Sequence, residues 1–225
     1  MTDFHNAGGM RALLEDLRPL LHLNANTASA SKDRQLLEFS GSAVVFEDTV
    51  DLERRIDDPA LEVTRDSALI LKSVGPVGTP GMPEAGMIPI PQKLTKTDCH
   101  VLHVQKGVKD MLRVSDGRMS GTAGGTRILH VSPESGLVDA PFGILRTGDI
   151  VTCSLSKKVL SVAFLDAEIA ERIRHRAEAL QQAGVLVERG RLISKQGRTR
   201  GYRGLYQTKV NQAHEGAEFD KRSQN

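Results

Sequence analysis

Two glycine-rich stretches hold the residues of this chain best placed to do chemistry. The first, residues 75–84 (GPVGTPGMPE), ends on the carboxylate of Glu84, an oxygen ligand suited to a hard cation such as Mg²⁺. The second, residues 115–126 (SDGRMSGTAGGT), sets the hydroxyls of Ser120 and Thr122 two positions apart, beside Arg118 and Asp116. Glycine lets backbone N–H groups come close to a ligand because no Cβ stands in the way. A serine hydroxyl is a poor base and a poor nucleophile at its ordinary pKa, so Ser120 needs a neighbouring base or a metal before it can act. On composition alone, both stretches read equally as structural turns. The histidines add little. No G-x-S-x-G elbow surrounds Ser120, His130 reads as a hydrogen-bonded structural residue, and His100-x-x-His103 lacks companions at metal-ligand spacing.

The surrounding elements must present those stretches. Residues 43–46 and 68–74 are apolar runs of strand length, with a helix expected over 48–56 between them. Three Gly and three Pro within residues 75–83 exclude helix and central strand, so the first stretch is a rigid loop leaving a strand end. Strands over 108–114 and 126–131 flank the second. Residues 142–145, 150–155 and 159–164 then read as a meander turned at Ser156-Lys157-Lys158. A helix follows, with Asp166 as N-cap, Ile169, Ile173, Ala177 and Leu180 on one face and Gly184 past its end. Another opens the chain, where Met10, Leu13, Leu14, Leu17, Leu20 and Leu21 share one face of a 3.6-residue period and Pro19 marks a bend or an end.

Composition narrows the partners. The 225 residues carry 30 Lys+Arg against 28 Asp+Glu, a net charge of +2 that gives no global field to steer nucleic acid or membrane. With 39% hydrophobic and 4% aromatic residues, the core should be modest and aliphatic. Cys99 and Cys153 match no zinc or redox spacing, which points to a reducing compartment. No apolar leader and no run of membrane-spanning length occurs, so the expectation is a cytoplasmic protein without a membrane partner.

Several motifs stand in one order: residues 75–84 (GPVGTPGMPE), 88–91 (IPIP), 108–121 (VKDMLRVSDGRMSG), 130–134 (HVSPE) and 146–150 (RTGDI). Together they resemble the dihydroxy-acid and sugar-acid dehydratases, and Met119 before the loop serine with the Ile-Pro-Ile-Pro segment is more similar to the sugar-acid members, such as arabinonate or xylonate dehydratase. Residues 3–21 resemble the end of that family's large first domain and residues 200–219 its C-terminal tail, so nearly the whole chain matches the family's last third. The resemblance implies a swivelling β-barrel and a hydro-lyase that converts a 2,3-dihydroxy acid into a 2-keto acid. It implies Glu84 as one Mg²⁺ ligand, Ser120 as the base that takes the C2 proton, Thr122 beside it, and Arg118, Ser120 and Thr122 toward the sugar-acid substrate. It also implies Mg²⁺ and a [2Fe-2S] cluster as cofactors, the cluster's cysteines and the other Mg²⁺ ligands belonging to the large domain. Cys99 and Cys153 match none of those cysteines, so this chain alone is expected to hold no cluster.

The match has departures. The Gly-Asn-Leu-Ala-Pro-Asp-Gly strand that usually opens the barrel has no counterpart between Asn26 and Ala43. Residues 94–105 (LTKTDCHVLHVQ) are extra, which stretches the step from Glu84 to Ser120 to thirty-six positions. The expected fold is therefore α+β, a swivelling β-barrel-like domain with flanking helices, short of a strand and open at an edge. Its divisions are a helical remnant of the large domain over 1–23, a linker over 24–42, the barrel and its helix over 43–187, and a polar basic tail over 188–225. Two functions compete: a dehydratase domain inactive until a large-domain chain supplies the cluster, and a non-catalytic interaction protein. The second would use residues 189–203 (RGRLISKQGRTRGYR), with six Lys/Arg and no acid, to meet a polyanion, although a solvated surface is the ordinary reading of such a run and nucleic acid is not the expected partner. The leucine stripe of residues 10–21 predicts self-association or partner binding.

Overall fold

The computed structural model describes residues 35–95, 108–119, 125–185, 187–188, 190–192 and 201–219, together with Asn6, Ala7 and Ala12. The chain divides into two compact units, residues 1–34 and 35–225. All six residues of the apolar stripe lie outside the described residues, as do positions 96–105 of the extra stretch 94–105.

The second unit is α+β, built on a mixed six-stranded sheet. In chain order its strands are β1 (Glu38–Phe46), β2 (Ala68–Leu71), β3 (Arg113–Ser115), β4 (Arg127–Ile128), β5 (Ile150–Ser154) and β6 (Val159–Val162), arranged β4-β3-β2-β1-β5-β6. β1 joins two halves. Its later residues pair parallel with β2, from Ala43↔Ala68 to Phe46↔Leu71, and its earlier ones pair antiparallel with β5, from Glu38↔Ser154 to Ser42↔Ile150. Strand structure thus begins inside the stretch that composition marks as a linker. Glu38–Ser42 is polar because this half of β1 lies near the surface, not because it lacks a partner.

The parallel half is buried on both faces, as parallel strands covered on two sides must be. Val44, Phe46, Leu69 and Leu71 face one apolar cluster with Ile88 and Met111, while Ala43, Val45, Ile70 and Val114 face another with Phe142, Leu145 and Val151. Helix α1 (Thr49–Arg55) covers the first cluster with Leu52. Its N-cap is Asp48, whose side chain accepts the Asp51 N–H at 2.8 Å. A one-turn α2 (Gln92–Thr95) follows the first loop.

Three local expectations are corrected. Residues 142–145 form a 3-10 turn, Pro141–Ile144, because Pro141 lacks an N–H and fixes φ where a strand would start. The strand expected over 108–114 shrinks to β3. The Asp110 carboxylate takes the Met111 and Thr126 N–H groups and pairs with Arg113, which diverts the backbone from a ladder. Asp166 is the first residue of α3 (Asp166–Gln182), not its cap. Leu165 holds the cap position with no side-chain bond, and the acid serves the first turn instead. Past α3 come the hairpin β7 (Val187–Glu188) and β8 (Arg191–Leu192), then α4 (Gly201–Lys209).

Candidate functional site

β2 and β3 run parallel, so both glycine-rich stretches leave from the same rim of the sheet. The carboxyl ends of parallel strands are where α/β sheets take ligands, since side chains from neighbouring loops converge there. The loops touch. The Ala85 N–H donates to the Arg118 carbonyl at 3.1 Å, and Glu84 and Arg118 form an isolated parallel bridge. Arg118 Nε stands 4.0 Å from Glu84 Oε2, with the two side chains 53% and 34% exposed. A pair so exposed is screened by water and adds little stability, so its geometry matters more for what it presents to solvent. Gly117 permits the close approach, since a Cβ there would lie 2.6 Å from Val74 Cγ2.

Of the four site residues read from sequence, the structure brings Glu84 and Arg118 together. Ser120 and Thr122 lie outside the described residues.

Two buried carboxylates that the sequence reading gave no role fix the first loop. Asp116, at the end of β3, is fully buried and accepts the Val74 N–H at 3.1 Å, the Ser135 N–H at 3.0 Å and the Ser135 hydroxyl at 2.5 Å. The same hydroxyl accepts the Ser73 N–H at 2.8 Å. Burial pushes the Asp116 carboxyl above its ordinary range against the pull of these hydrogen bonds. Glu134 accepts the Val77 N–H at 2.9 Å, the Gly78 N–H at 2.9 Å and the Gln212 side-chain N–H at 2.9 Å. Burial raises its pKa too, with the nearby Asp116 adding to the shift. Gln207 of α4 donates to the Val77 carbonyl at 3.2 Å, and Tyr206 packs edge-on against Phe219 at 5.4 Å. Part of the basic tail therefore folds against the loop. The one local signal for this frame is an acid inside a Ser-Pro-Glu-Ser turn. The two glutamines give none, because their partners lie 78 and 130 positions away.

The donor set decides what the described residues could hold. Among them no group of three His, Cys, Asp or Glu could hold a metal ion. Cys153 does not fit an iron-sulfur cluster: it is buried among Phe39, Val151 and their neighbours, and burial pushes its thiol up, away from the thiolate a cluster requires. Cys99 lies outside the described residues. Separately, a cleft of about 870 Å³ opens beside α3, lined by Lys72, Thr79, Arg146, Arg176, Arg203 and Gln207; Glu84 and Arg118 are not in its lining. Its most buried cation is already satisfied, because Lys72 Nζ donates to Glu47 at 3.0 Å and to the Gly143 and Leu145 carbonyls at 3.1 and 2.7 Å.

Residues 3–217 match the family model described as dihydroxy-acid/6-phosphogluconate dehydratase C-terminal. Over 271 aligned residues the chain is 34% identical to 6-deoxy-6-sulfo-D-gluconate dehydratase of Pseudomonas putida, covering 98% of the chain and 42% of that protein. It is 35% identical over 213 residues to L-arabonate dehydratase of Azospirillum brasilense, covering 95% and 33%. With D-xylonate dehydratase of Caulobacter vibrioides it shares 35% over 134 residues, covering 60% and 21%. The chain thus spans less than half the length of these relatives. Matched over nearly its whole length by the family model, with two loops meeting at Glu84 and Arg118, the chain belongs to the dihydroxy-acid/6-phosphogluconate dehydratase family, of which it carries the C-terminal part.

Proposed function

We infer that the chain is the C-terminal part of a hydro-lyase acting on sugar acids. The bridge between Glu84 and Arg118 carries this reading, because it joins the two loops whose motifs match the family. The reaction takes a 2,3-dihydroxy acid. Ser120 as alkoxide takes the C2 proton, the C3–O bond breaks with the oxygen leaving as hydroxide, the hydroxide takes that proton back from the Ser120 hydroxyl to depart as water and restore the alkoxide, and the resulting enol tautomerises to a 2-keto acid. A serine reaches the alkoxide only where nearby positive charge lowers its pKa, and Arg118, two positions before it, supplies a fixed charge whose guanidinium suits a substrate carboxylate. Thr122 offers a second hydroxyl toward the substrate. A Mg²⁺ ion bound through Glu84 would supply the charge that orients carboxylate and 2-hydroxyl. The described residues do not fit a [2Fe-2S] cluster.

The fold half of the reading is a swivelling barrel domain, supported by the mixed sheet and the loops at one rim. Its partner is a large-domain chain or a further copy, with the sugar acid shared between them and the cytoplasm as the compartment. No helix among the described residues is long and apolar enough to cross a membrane.

The test mixes the 225-residue chain with the separately produced large domain of L-arabonate dehydratase, reconstituted with iron, sulfide and Mg²⁺. A panel of sugar acids is then assayed for 2-keto acid. Turnover that disappears in Ser120→Ala and Glu84→Gln is expected. A co-eluting mixture with no turnover, or turnover that Ser120→Ala leaves unchanged, would overturn the reading.

A further inference from the structure

β4 runs parallel to β3, so the chain leaves both strands at the rim that carries the two loops. Two residues past β4 stands His130, and its backbone is tied to the neighbouring stretch. The His130 N–H donates to the Gly117 carbonyl at 3.2 Å, and the Val131 N–H to the Ser115 carbonyl at 3.2 Å. The next carbonyl, that of Arg118, accepts the Ala85 N–H. Gly117 and Arg118 are thus bonded to residue 130 through one carbonyl and to the residue after Glu84 through the other.

The conformation of His130 is costly. Its φ is 56°, a left-handed geometry that glycine supplies without a Cβ penalty. Such strain persists where surrounding bonds over-determine it, and it gathers at active sites. The residues around it on the chain have structural duties: Leu129 packs against one apolar cluster, Val131 against the other, and Glu134 and Ser135 hold the first loop and Asp116. His130 is exposed, and among the described residues its imidazole has no hydrogen bond or ion pair. The hydrogen-bonded structural role expected of it from sequence is therefore not what the fold gives it.

The proton inventory of the dehydration leaves one position open. The proton that Ser120 takes from C2 departs with the water, so the proton that C3 gains when the enol becomes a 2-keto acid comes from another donor. An imidazole both holds and releases a proton near neutral pH. Adjacent extended segments lie about 4.8 Å apart, so a side chain on the segment beside Gly117 and Arg118 comes to the carbons next to a carboxylate held at Arg118.

We propose that His130 is a catalytic residue of the dehydration, the acid that delivers a proton to C3 of the enol. This rests on the hydro-lyase reading. The imidazolium gives its N–H proton to C3 as the C2=C3 pair forms the new C3–H bond. The O–H pair of the 2-hydroxyl becomes the second C2–O bond, and that proton passes to water. The neutral imidazole then takes a proton from water, ready for the next enol. A fixed donor protonates C3 from one side only.

Deuterium reads that side. The chain, mixed with the large domain of L-arabonate dehydratase and reconstituted as above, is placed in D₂O with L-arabonate or, separately, with the corresponding 2-keto-3-deoxy acid. NMR then reports label at each of the two C3 positions. Wild type is expected to label one position from either compound. His130→Asn and His130→Gly both tolerate a positive φ, so their urea midpoints should equal or exceed that of wild type. In both, C3 exchange into the 2-keto acid should slow about a hundredfold, with the residual label in both positions. Equal labelling by wild type, one-sided labelling that both variants retain at the wild-type rate, or a fall in urea midpoint with C3 unchanged would each overturn the proposal. One-sided exchange without dehydration would overturn the hydro-lyase reading and support the donor, dehydration with equal labelling would remove His130 alone, and the absence of both reactions would remove both.

Discussion

Gln212 holds Glu134 at two points: its side-chain oxygen accepts the Glu134 N–H at 2.8 Å, and its Nε2 donates to Glu134 Oε1 at 2.9 Å. A residue near the chain's end thereby orients the carboxylate that pins Val77 and Gly78 in the first loop. The loop's far end is Glu84, so the tail and the candidate site are coupled through one buried acid.

Removing that acid should show the coupling. Glu134→Ala leaves the Val77, Gly78 and Gln212 N–H groups buried without their acceptor, and each such group costs about 1–3 kcal/mol. Urea unfolding should therefore show a loss of roughly 3 kcal/mol or more. Hydrogen exchange should quicken at Val77 and Gly78 before it does in β2. Unchanged protection at those two amides would contradict the assignment.

Gly75 serves the same carboxylate from above. A Cβ at this position would lie 2.6 Å from Glu134 Oε2, so Gly75→Ala must push the carboxylate off its donors. The expected cost is about 1–3 kcal/mol, the usual range for overpacking a filled site. In combination with Glu134→Ala the effect should be less than additive, because the two closest contacts, with Oε2 and Cδ, vanish and only the tighter-than-usual 3.1 Å contact with the Cβ remains.

Asp116 gives a pH dependence. Its carboxyl titrates above the ordinary range because it is buried, so the native state holds its proton more tightly than the unfolded chain does. Its contribution to stability is present below the ordinary carboxylate pKa of about 4 and is lost as pH rises through the raised value. Asp116→Asn carries no such proton. Its stability relative to wild type should improve as pH rises from about 4 toward neutrality, whatever constant offset the amide introduces. Parallel stability curves over that range would refute the shift.

Arg172 anchors α3. It grips Asp149 with two bonds of 2.8 and 3.0 Å, and its guanidinium lies 4.1 Å from the centre of the Phe164 ring. Arg172→Ala should cost about 2 kcal/mol in urea unfolding, and Arg172→Lys should recover less than half of it. An ammonium keeps the charge but lacks the planar fork that makes both contacts. Full recovery in the lysine variant would reduce the contact to charge alone.

The apolar runs of β1 and β2, the helix α1 and the helical face of α3 were legible in the sequence, because periodicity is local and acts within a few residues. So was the first loop, since three Gly and three Pro within residues 75–83 permit neither helix nor central strand. The order of motifs carried the family. What only the tertiary structure decided is where distant polar groups meet. Glu38–Ser42 became a strand because β5 lies beside it. Asp116 and Glu134 became the frame of the first loop through partners on other segments, Gln212 standing 78 positions from Glu134. A hydrogen bond between residues so far apart leaves no periodic trace in either, so the sequence named Glu84 and Arg118 while the fold named what holds their loops in place.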